Sequence, residues 1–344
     1  MQILMLQGSL RLPLVAGQPL YSKIMSTDRR SYDSAQTPKG VLLVRLCNWV
    51  GEAVLSLPAL HRLQIAGYEL HLYGKGWAPA LFEGFWWPVT VRRDGLQNSI
   101  AQLHELRRAL ATPAPPALLM TSSFASALEM RLAGFAPSGY AREGRNLLLQ
   151  SGYSKPTFKH EAEAYWHLAG CFLGTEEPFP TSWEWTPSDA QRVQARALLT
   201  RHRLAPESFV VFCPFSGPDD HERRKVWPGF KALGAALDAA GVPIVVCPGP
   251  GEVEAATGLS AKAICLPGVD LGVYGALFEL ARGVVANDTG PGHLAAAVGA
   301  RLISIYGPHS VAAWRPLGPH VRLFHDASKW PTVDCIAAAV LAAE

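Results

Sequence analysis

The hexapeptide Asp288-Thr289-Gly290-Pro291-Gly292-His293 combines a carboxylate, an imidazole and two glycines between an apolar run, Gly283 to Asn287, and an Ala-rich run, Leu294 to Gly299. The first run reads as a buried strand and the second as a helix. A strand that enters a helix through glycines leaves backbone N–H groups unpaired at the positive end of the helix dipole, which suits phosphate. The same residues also fit a plainer role, an ordinary turn with Asp288 as helix cap and His293 packed inside. Gly51-Glu52 is a second junction of this kind. Gly51 allows a sharp turn, and Glu52 then lies in a first helical turn at the carboxyl edge of a sheet, where open α/β sheets bind ligands. A carboxylate there can serve as general base toward a hydroxyl, or simply complement the helix dipole. A third candidate is Lys225, in Arg223-Arg224-Lys225-Val226-Trp227-Pro228. A fixed cation is useful beside a leaving group that gains negative charge, although three basic residues in a row also make a solvated loop.

Elements that would position these residues are legible as apolar runs. Val41 to Val44, Glu69 to Tyr73 and Ala117 to Met120 read as strands, with helical windows at 53–66, 99–111 and 123–134. Short apolar runs alternating with helical windows indicate a parallel α/β sheet. The pattern restarts at Phe209 to Cys213, with strands at 243–247, 263–266, 283–287 and 302–306 and helices at 230–240, 274–281 and 333–343. Between the halves the texture changes to Glu-Glu-Pro-Phe-Pro-Thr-Ser-Trp-Glu-Trp-Thr-Pro. The expected organisation is a poorly ordered appendage at 1–38, a domain at 39–174, a linker at 175–189, a second domain at 190–325 and a closing segment at 326–344 whose helix packs back across the linker.

Bulk properties exclude several classes. The chain has 344 residues, 49% hydrophobic and 17% charged, with a net charge of +3. Those values describe a well-packed protein with no global pull toward nucleic acid. Six cysteines, at 47, 171, 213, 247, 265 and 335, include no Cys-x-x-Cys pair. They read as thiols in a reducing compartment, with Cys47, Cys213, Cys247 and Cys265 in apolar surroundings. No apolar run is long enough for a membrane span. Residues 1–14 make a poor signal peptide, so a cytoplasmic address is expected. Phe85-Trp86-Trp87 leaves membrane contact open, with packing before Pro88 favoured. No P-loop, zinc spacing or Gly-x-Ser-x-Gly elbow is present. Gly74-Lys75-Gly76-Trp77-Ala78-Pro79 begins like a dinucleotide fingerprint but has Pro79 at its third glycine position.

Asp-Thr-Gly-x-x-His, an Ala-rich helix and then Tyr306-Gly307-Pro308 resemble the nucleotide-sugar site of the ADP-heptose:lipopolysaccharide heptosyltransferases. Lys225 before Trp227-Pro228 matches the family's Lys-x-Trp-Pro segment. Ser122-Ser123-Phe124-Ala125-Ser126-Ala127 with Gly139, Tyr140 and Arg142 is similar to the second-heptose subgroup. The resemblance covers about Lys39 to Gly318. It implies a GT-B fold, with two Rossmann-like parallel-sheet domains facing a central cleft, and inverting transfer from ADP-heptose. On the donor side it implies Ser216, Lys225, Glu252 at the ribose, Val269 at adenine, and Asp288, Thr289, Gly290, Gly292 and His293. The acid after Gly51 would be the base, but this chain has Glu52 where the family has Asp. Ser123, Arg142 and Arg145 are the acceptor-side candidates; Lys155 and Lys159 fit solvated surface charge better. The partners implied are a nucleotide-sugar donor and a lipopolysaccharide inner-core or other glycan acceptor. Peripheral contact with the cytoplasmic face of the inner membrane follows from a lipid-linked acceptor. A monomer without cofactor or metal ion is expected, since no Asp-x-Asp pair occurs. A nucleotide-sugar epimerase and a non-catalytic nucleotide-sugar binder remain the alternatives.

Overall fold

A computed structural model describes residues 38–110, 113–142, 144–216, 226–308 and 312–342. The expected appendage, apart from Pro38, lies outside the described residues, as does Lys225.

The first half runs β1 (Gly40–Arg45), α1 (Val50–Leu55), α2 (Leu57–Ile65), β2 (Tyr68–Gly74), α3 (Ala78–Phe82), β3 (Val89–Val91), α4 (Leu96–Ala109), β4 (Pro116–Leu119), α5 (Phe124–Leu132), β5 (Ala136–Tyr140), β6 (Ser151–Tyr153) and α6 (Glu161–Leu173). The second runs α7 (Asp189–Arg201), β7 (Val210–Cys213), α8 (Phe230–Ala239), β8 (Ile244–Val246), α9 (Val253–Thr257), β9 (Ile264–Cys265), α10 (Leu271–Leu280), β10 (Gly283–Ala286), α11 (Gly290–Ala297), β11 (Leu302–Tyr306), β12 (Val321–His325) and α12 (Val333–Leu341).

Each half is a six-stranded sheet, ordered β3-β2-β1-β4-β5-β6 and β12-β11-β10-β7-β8-β9. All pairings are parallel. The central strands are covered on both faces, so Leu42, Leu43, Val44, Val210, Val211 and Phe212 are completely buried. Continuous apolar runs are required there rather than alternation. In each sheet the winding direction reverses beside the first strand, between β1 and β4 and between β7 and β10. The chain leaving the carboxyl ends of these strands forms the crevice of a doubly wound sheet.

The expected strands are present, and the structure adds β3, β5, β6 and β12. These are short or peripheral, and β5 carries a proline and a glycine, which masks a strand pattern. Segment 175–188 is irregular in structure but pinned. The Trp185 backbone N–H donates to the Ala297 carbonyl at 2.8 Å, and its indole N–H donates to the Leu81 carbonyl at 2.6 Å. The side chain is 2% exposed and belongs to an apolar cluster shared by both halves. Helix α12 departs from expectation: Ile336, Ala339 and Val340 join the cluster on one face of the second sheet instead of crossing the linker. Of the four cysteines expected in apolar surroundings, Cys47 and Cys213 are buried and Cys247 and Cys265 partly so; all six are free.

Candidate active site

β1 ends in Arg45, a charged residue only 3% exposed. Its guanidinium donates to Glu129 Oε1 of α5 at 3.2 Å, to the Leu46 carbonyl at 2.5 Å and to Asn48 Oδ1 at 3.1 Å. A buried arginine needs such a full set of acceptors, and satisfying it fixes the course of residues 46–49. Trp49 then adopts an extended conformation as N-cap of α1. Glu52 lies in the first turn of α1. Burial raises the Glu52 carboxyl above its ordinary value; the backbone N–H groups of Trp49 and Asn48 oppose this, nearby Glu161 adds to it, and Lys155 opposes it. A raised carboxyl pKa is what a base toward a hydroxyl requires near neutral pH.

At the second switch point Asn287 is the organising residue, and sequence reading passed it over as the last residue of an apolar run. It is 1% exposed. Its Oδ1 accepts from the Trp227 backbone N–H at 3.0 Å, its Nδ2 donates to the Pro214 carbonyl at 2.5 Å, and its own N–H donates to the Cys213 carbonyl at 3.2 Å. One amide thereby ties the exits of β7 and β10 to the segment that follows Lys225. Trp227, 2% exposed, is held further by its indole N–H on the Pro331 carbonyl at 3.0 Å. A polar residue at the carboxyl end of a central strand was the signal available for both Asn287 and Arg45.

Helix α11 starts at Gly290 with Thr289 as N-cap. The set of free N–H groups is smaller than the sequence suggested. Pro291 has none, and Gly292 and His293 donate to the Thr289 carbonyl at 3.1 and 3.4 Å. The N–H groups of Thr289 and Gly290 have no hydrogen-bond acceptor among the described residues. Two hydroxyls are similarly placed: Thr289 Oγ1 and Ser216 Oγ are buried without a partner among the described residues. Buried polar groups without partners are uncommon, and these two follow the carboxyl ends of the neighbouring strands β7 and β10. Asp288 accepts from the Tyr306 hydroxyl at 3.2 Å, which links the hexapeptide to the Tyr-Gly-Pro turn.

The two switch points are brought together by α1 and α11, which pack against each other with no room for a side chain at Gly51 or Gly290. A Cβ on Gly51 would lie 2.7 Å from His293 Cδ2, and one on Gly290 would lie 2.8 Å from Val50 Cβ. His293 is 6% exposed and its Nδ1 has no partner among the described residues. Burial, with a smaller contribution from His160, lowers its pKa to about 3. Its ring packs between the two turns.

The remaining candidates are more dispersed. Glu252 Oε2 accepts from the Gly249 N–H at 2.7 Å and closes its own turn after β8. Val269 is half-buried against the shared apolar cluster. Ser123 caps α5, its Oγ accepting from Ser126 N–H at 3.3 Å, and Arg142 is exposed. Arg145 faces inward: it is fully buried, with Nε on the Tyr140 carbonyl and Nη1 on the Thr121 carbonyl, both at 2.7 Å. Its charge serves the backbone behind Ser123 rather than the surface. Lys155 pairs with Glu161 at 2.6 Å, and Lys159 is exposed. Of the aromatic triplet, Trp87 is buried against Phe85, ring centroids 4.9 Å apart, while Trp86 is 74% exposed. No helix among the described residues is long and apolar enough to cross a membrane.

Two doubly wound sheets joined at their switch points define a two-domain Rossmann-like architecture of the GT-B type. Residues 103–336, more than half of the chain, match the model of glycosyltransferase family 9 (heptosyltransferase), and the protein belongs to that family. Solved structures share the fold. The chain is similar to ADP-heptose LPS heptosyltransferase II of E. coli, with 22% identity and a TM-score of 0.69 over 87% of this chain and 98% of that one. It is similar to the E. coli heptosyltransferase WaaC with ADP, with 22% identity and a TM-score of 0.68 over 88% and 98% of the two chains. A family 9 glycosyl transferase from Veillonella parvula matches with 17% identity and a TM-score of 0.72 over 84% and 87%. The two E. coli enzymes match at the same identity, so neither subgroup is favoured. No curated protein matches the sequence.

Proposed function

We propose that the protein transfers heptose from ADP-heptose to a lipopolysaccharide-core or related glycan acceptor with inversion, in one in-line displacement that needs no metal ion. The observation that carries this reading is the contact of Gly51 with His293 and of Val50 with Gly290, which sets the Glu52 turn against the hexapeptide turn. Glu52 takes the proton of the attacking hydroxyl. Lys225, the N–H groups of Thr289 and Gly290 and the hydroxyls of Thr289 and Ser216 receive the departing diphosphate, where donors aimed at developing charge have their largest effect. Asp288, steadied by Tyr306, holds the turn or a sugar hydroxyl. Glu252 and Val269 flank the nucleoside, and Ser123 and Arg142 lie on the acceptor side with Arg145 as their internal support. An ADP-type donor is supported by family membership and by relatives solved with ADP and with ADP-2-deoxy-2-fluoro heptose.

The deciding experiment incubates the protein with ADP-heptose, with and without core acceptor, and follows ADP release and the glycan product. Acceptor-dependent ADP release with a heptosylated product is the expected result. Donor turnover without acceptor would favour an epimerase, and donor binding without turnover would favour a non-catalytic binder. The place of Glu52 in the first turn of α1, where an acid complements the helix dipole, is the observation that keeps the binder in view.

A further inference from the structure

Two charged side chains lie beside the Glu52 turn without entering the donor site. Glu161 is in the first turn of α6, which packs against α1, so the first turns of the two helices carry neighbouring acids. Lys155, just past β6, holds its Nζ 2.6 Å from Glu161 Oε2 and 5.9 Å from the centroid of the Tyr140 ring. The two side chains are only 21% and 22% exposed, so the pair is partly sheltered from screening by solvent. The start of α6 is fixed from the other half of the chain. The Glu161 N–H donates to the Ala313 carbonyl at 3.0 Å. His160, the N-cap, donates from Nε2 to the Arg315 carbonyl at 2.8 Å while its Nδ1 accepts from the Ala162 N–H at 3.1 Å.

We propose that Glu161 and Lys155 are positioning residues whose opposed charges set the protonation state in which Glu52 waits for the acceptor hydroxyl. This rests on the reading of Glu52 as base. A carboxylate neighbour disfavours a second negative charge, and an ammonium favours it. Glu161 and Lys155 therefore act on Glu52 in opposite senses, and their ion pair keeps either from dominating. The other titratable groups around this turn hold one charge state near neutral pH. Burial keeps the Cys47 thiol and the Tyr165 hydroxyl protonated, and it keeps His293, against Gly51, neutral. His160 is neutral too, because its Nδ1 is an acceptor. Arg45, paired with Glu129, is a permanent charge.

The test follows the Glu52 carboxyl itself, by carbon-13 NMR of the full chain labelled in its glutamate carboxyls. Loss of one signal in Glu52→Gln identifies it. Lys155→Gln should raise the Glu52 titration midpoint by about 0.5 pH unit, and Glu161→Gln should lower it by about as much, the effect of one partly sheltered unit charge. Lys155→Arg, which keeps the charge, and the double variant Lys155→Gln/Glu161→Gln should titrate near wild type. A merely structural role would move Glu52 the same way in every variant. Thermal melts check folding, and a midpoint that is unmoved or moves with the wrong sign in either folded single variant would overturn the proposal. The acid limb of kcat/KM for heptose transfer should shift with the midpoint. Failure of the underlying reading is separate: transfer that survives Glu52→Gln refutes Glu52 as base and leaves the titrations to judge the ion pair alone.

Discussion

His293 offers a quantitative test of whether α1 and α11 meet in solution as they do in the structure. Its ring is 6% exposed, lies against Gly51, and has its pKa lowered from 6.5 to about 3 by burial. Between those values the unfolded chain binds a proton at this site and the folded chain does not. Stability therefore falls as pH drops through that window, and the loss is complete only near pH 3. At pH 5 the unfolded state gains 1.5 pH units of protonation at about 1.36 kcal/mol each, so His293 costs about 2 kcal/mol there and only about 0.2 kcal/mol at pH 7. The figure at pH 5 hardly changes if the folded value is about 4 rather than 3. His61, which burial lowers to about 4, adds a loss of similar size in the wild type but cancels in a comparison of variants. The perturbation is His293→Leu, and the assay is urea denaturation of both proteins at pH 7 and pH 5. Wild type should lose about 2 kcal/mol more than the variant across that interval. Whatever His293→Leu does to stability at pH 7 is not the readout. Equal acid losses in the two proteins would mean that the ring is wet and titrates normally. The contact between the two turns would then be open in solution, and the argument for a shared site would fail.

Three further outcomes are expected. Glu52→Gln should abolish heptose transfer while leaving ADP affinity near wild type, checked by a product assay beside calorimetry; in the wild type the raised carboxyl places the acid limb of kcat/KM above the ordinary carboxylate range. Lys225→Ala should weaken ADP binding by about 1.5–3 kcal/mol, the usual size of a charge-assisted hydrogen bond, and an unchanged dissociation constant would return this lysine to a solvated loop. Asn287→Ala strands a buried N–H of Trp227 and a carbonyl of Pro214, so it should cost about 2–5 kcal/mol in urea denaturation and weaken ADP binding with it; a loss below about 0.5 kcal/mol would show that these groups find other partners.

What the sequence could determine by itself was whatever depends on neighbours along the chain. Val41 to Val44 and Phe209 to Cys213 had to be strands buried on both faces, because runs so apolar have no other place in an α/β fold. Glycines with an Ala-rich run behind them made the turn at Asp288–His293 recognisable, and the same turn carried the resemblance to the family to which the chain belongs. Peripheral strands such as Val89–Val91 and Ala136–Tyr140 escaped notice because edges are short and tolerate proline and glycine. Only the tertiary structure decided which groups are spent and which stay available. Arg145 looks like a surface cation until the carbonyls of Thr121 and Tyr140 close around it. Asn287 looks like the tail of a strand until Trp227 and Pro214 arrive from β7's loop. His293 reads as part of one local turn until Gly51, from the other half of the chain, packs against its ring. Burial and hydrogen-bond satisfaction are properties of contacts between residues far apart in sequence, and local pattern carries no record of them.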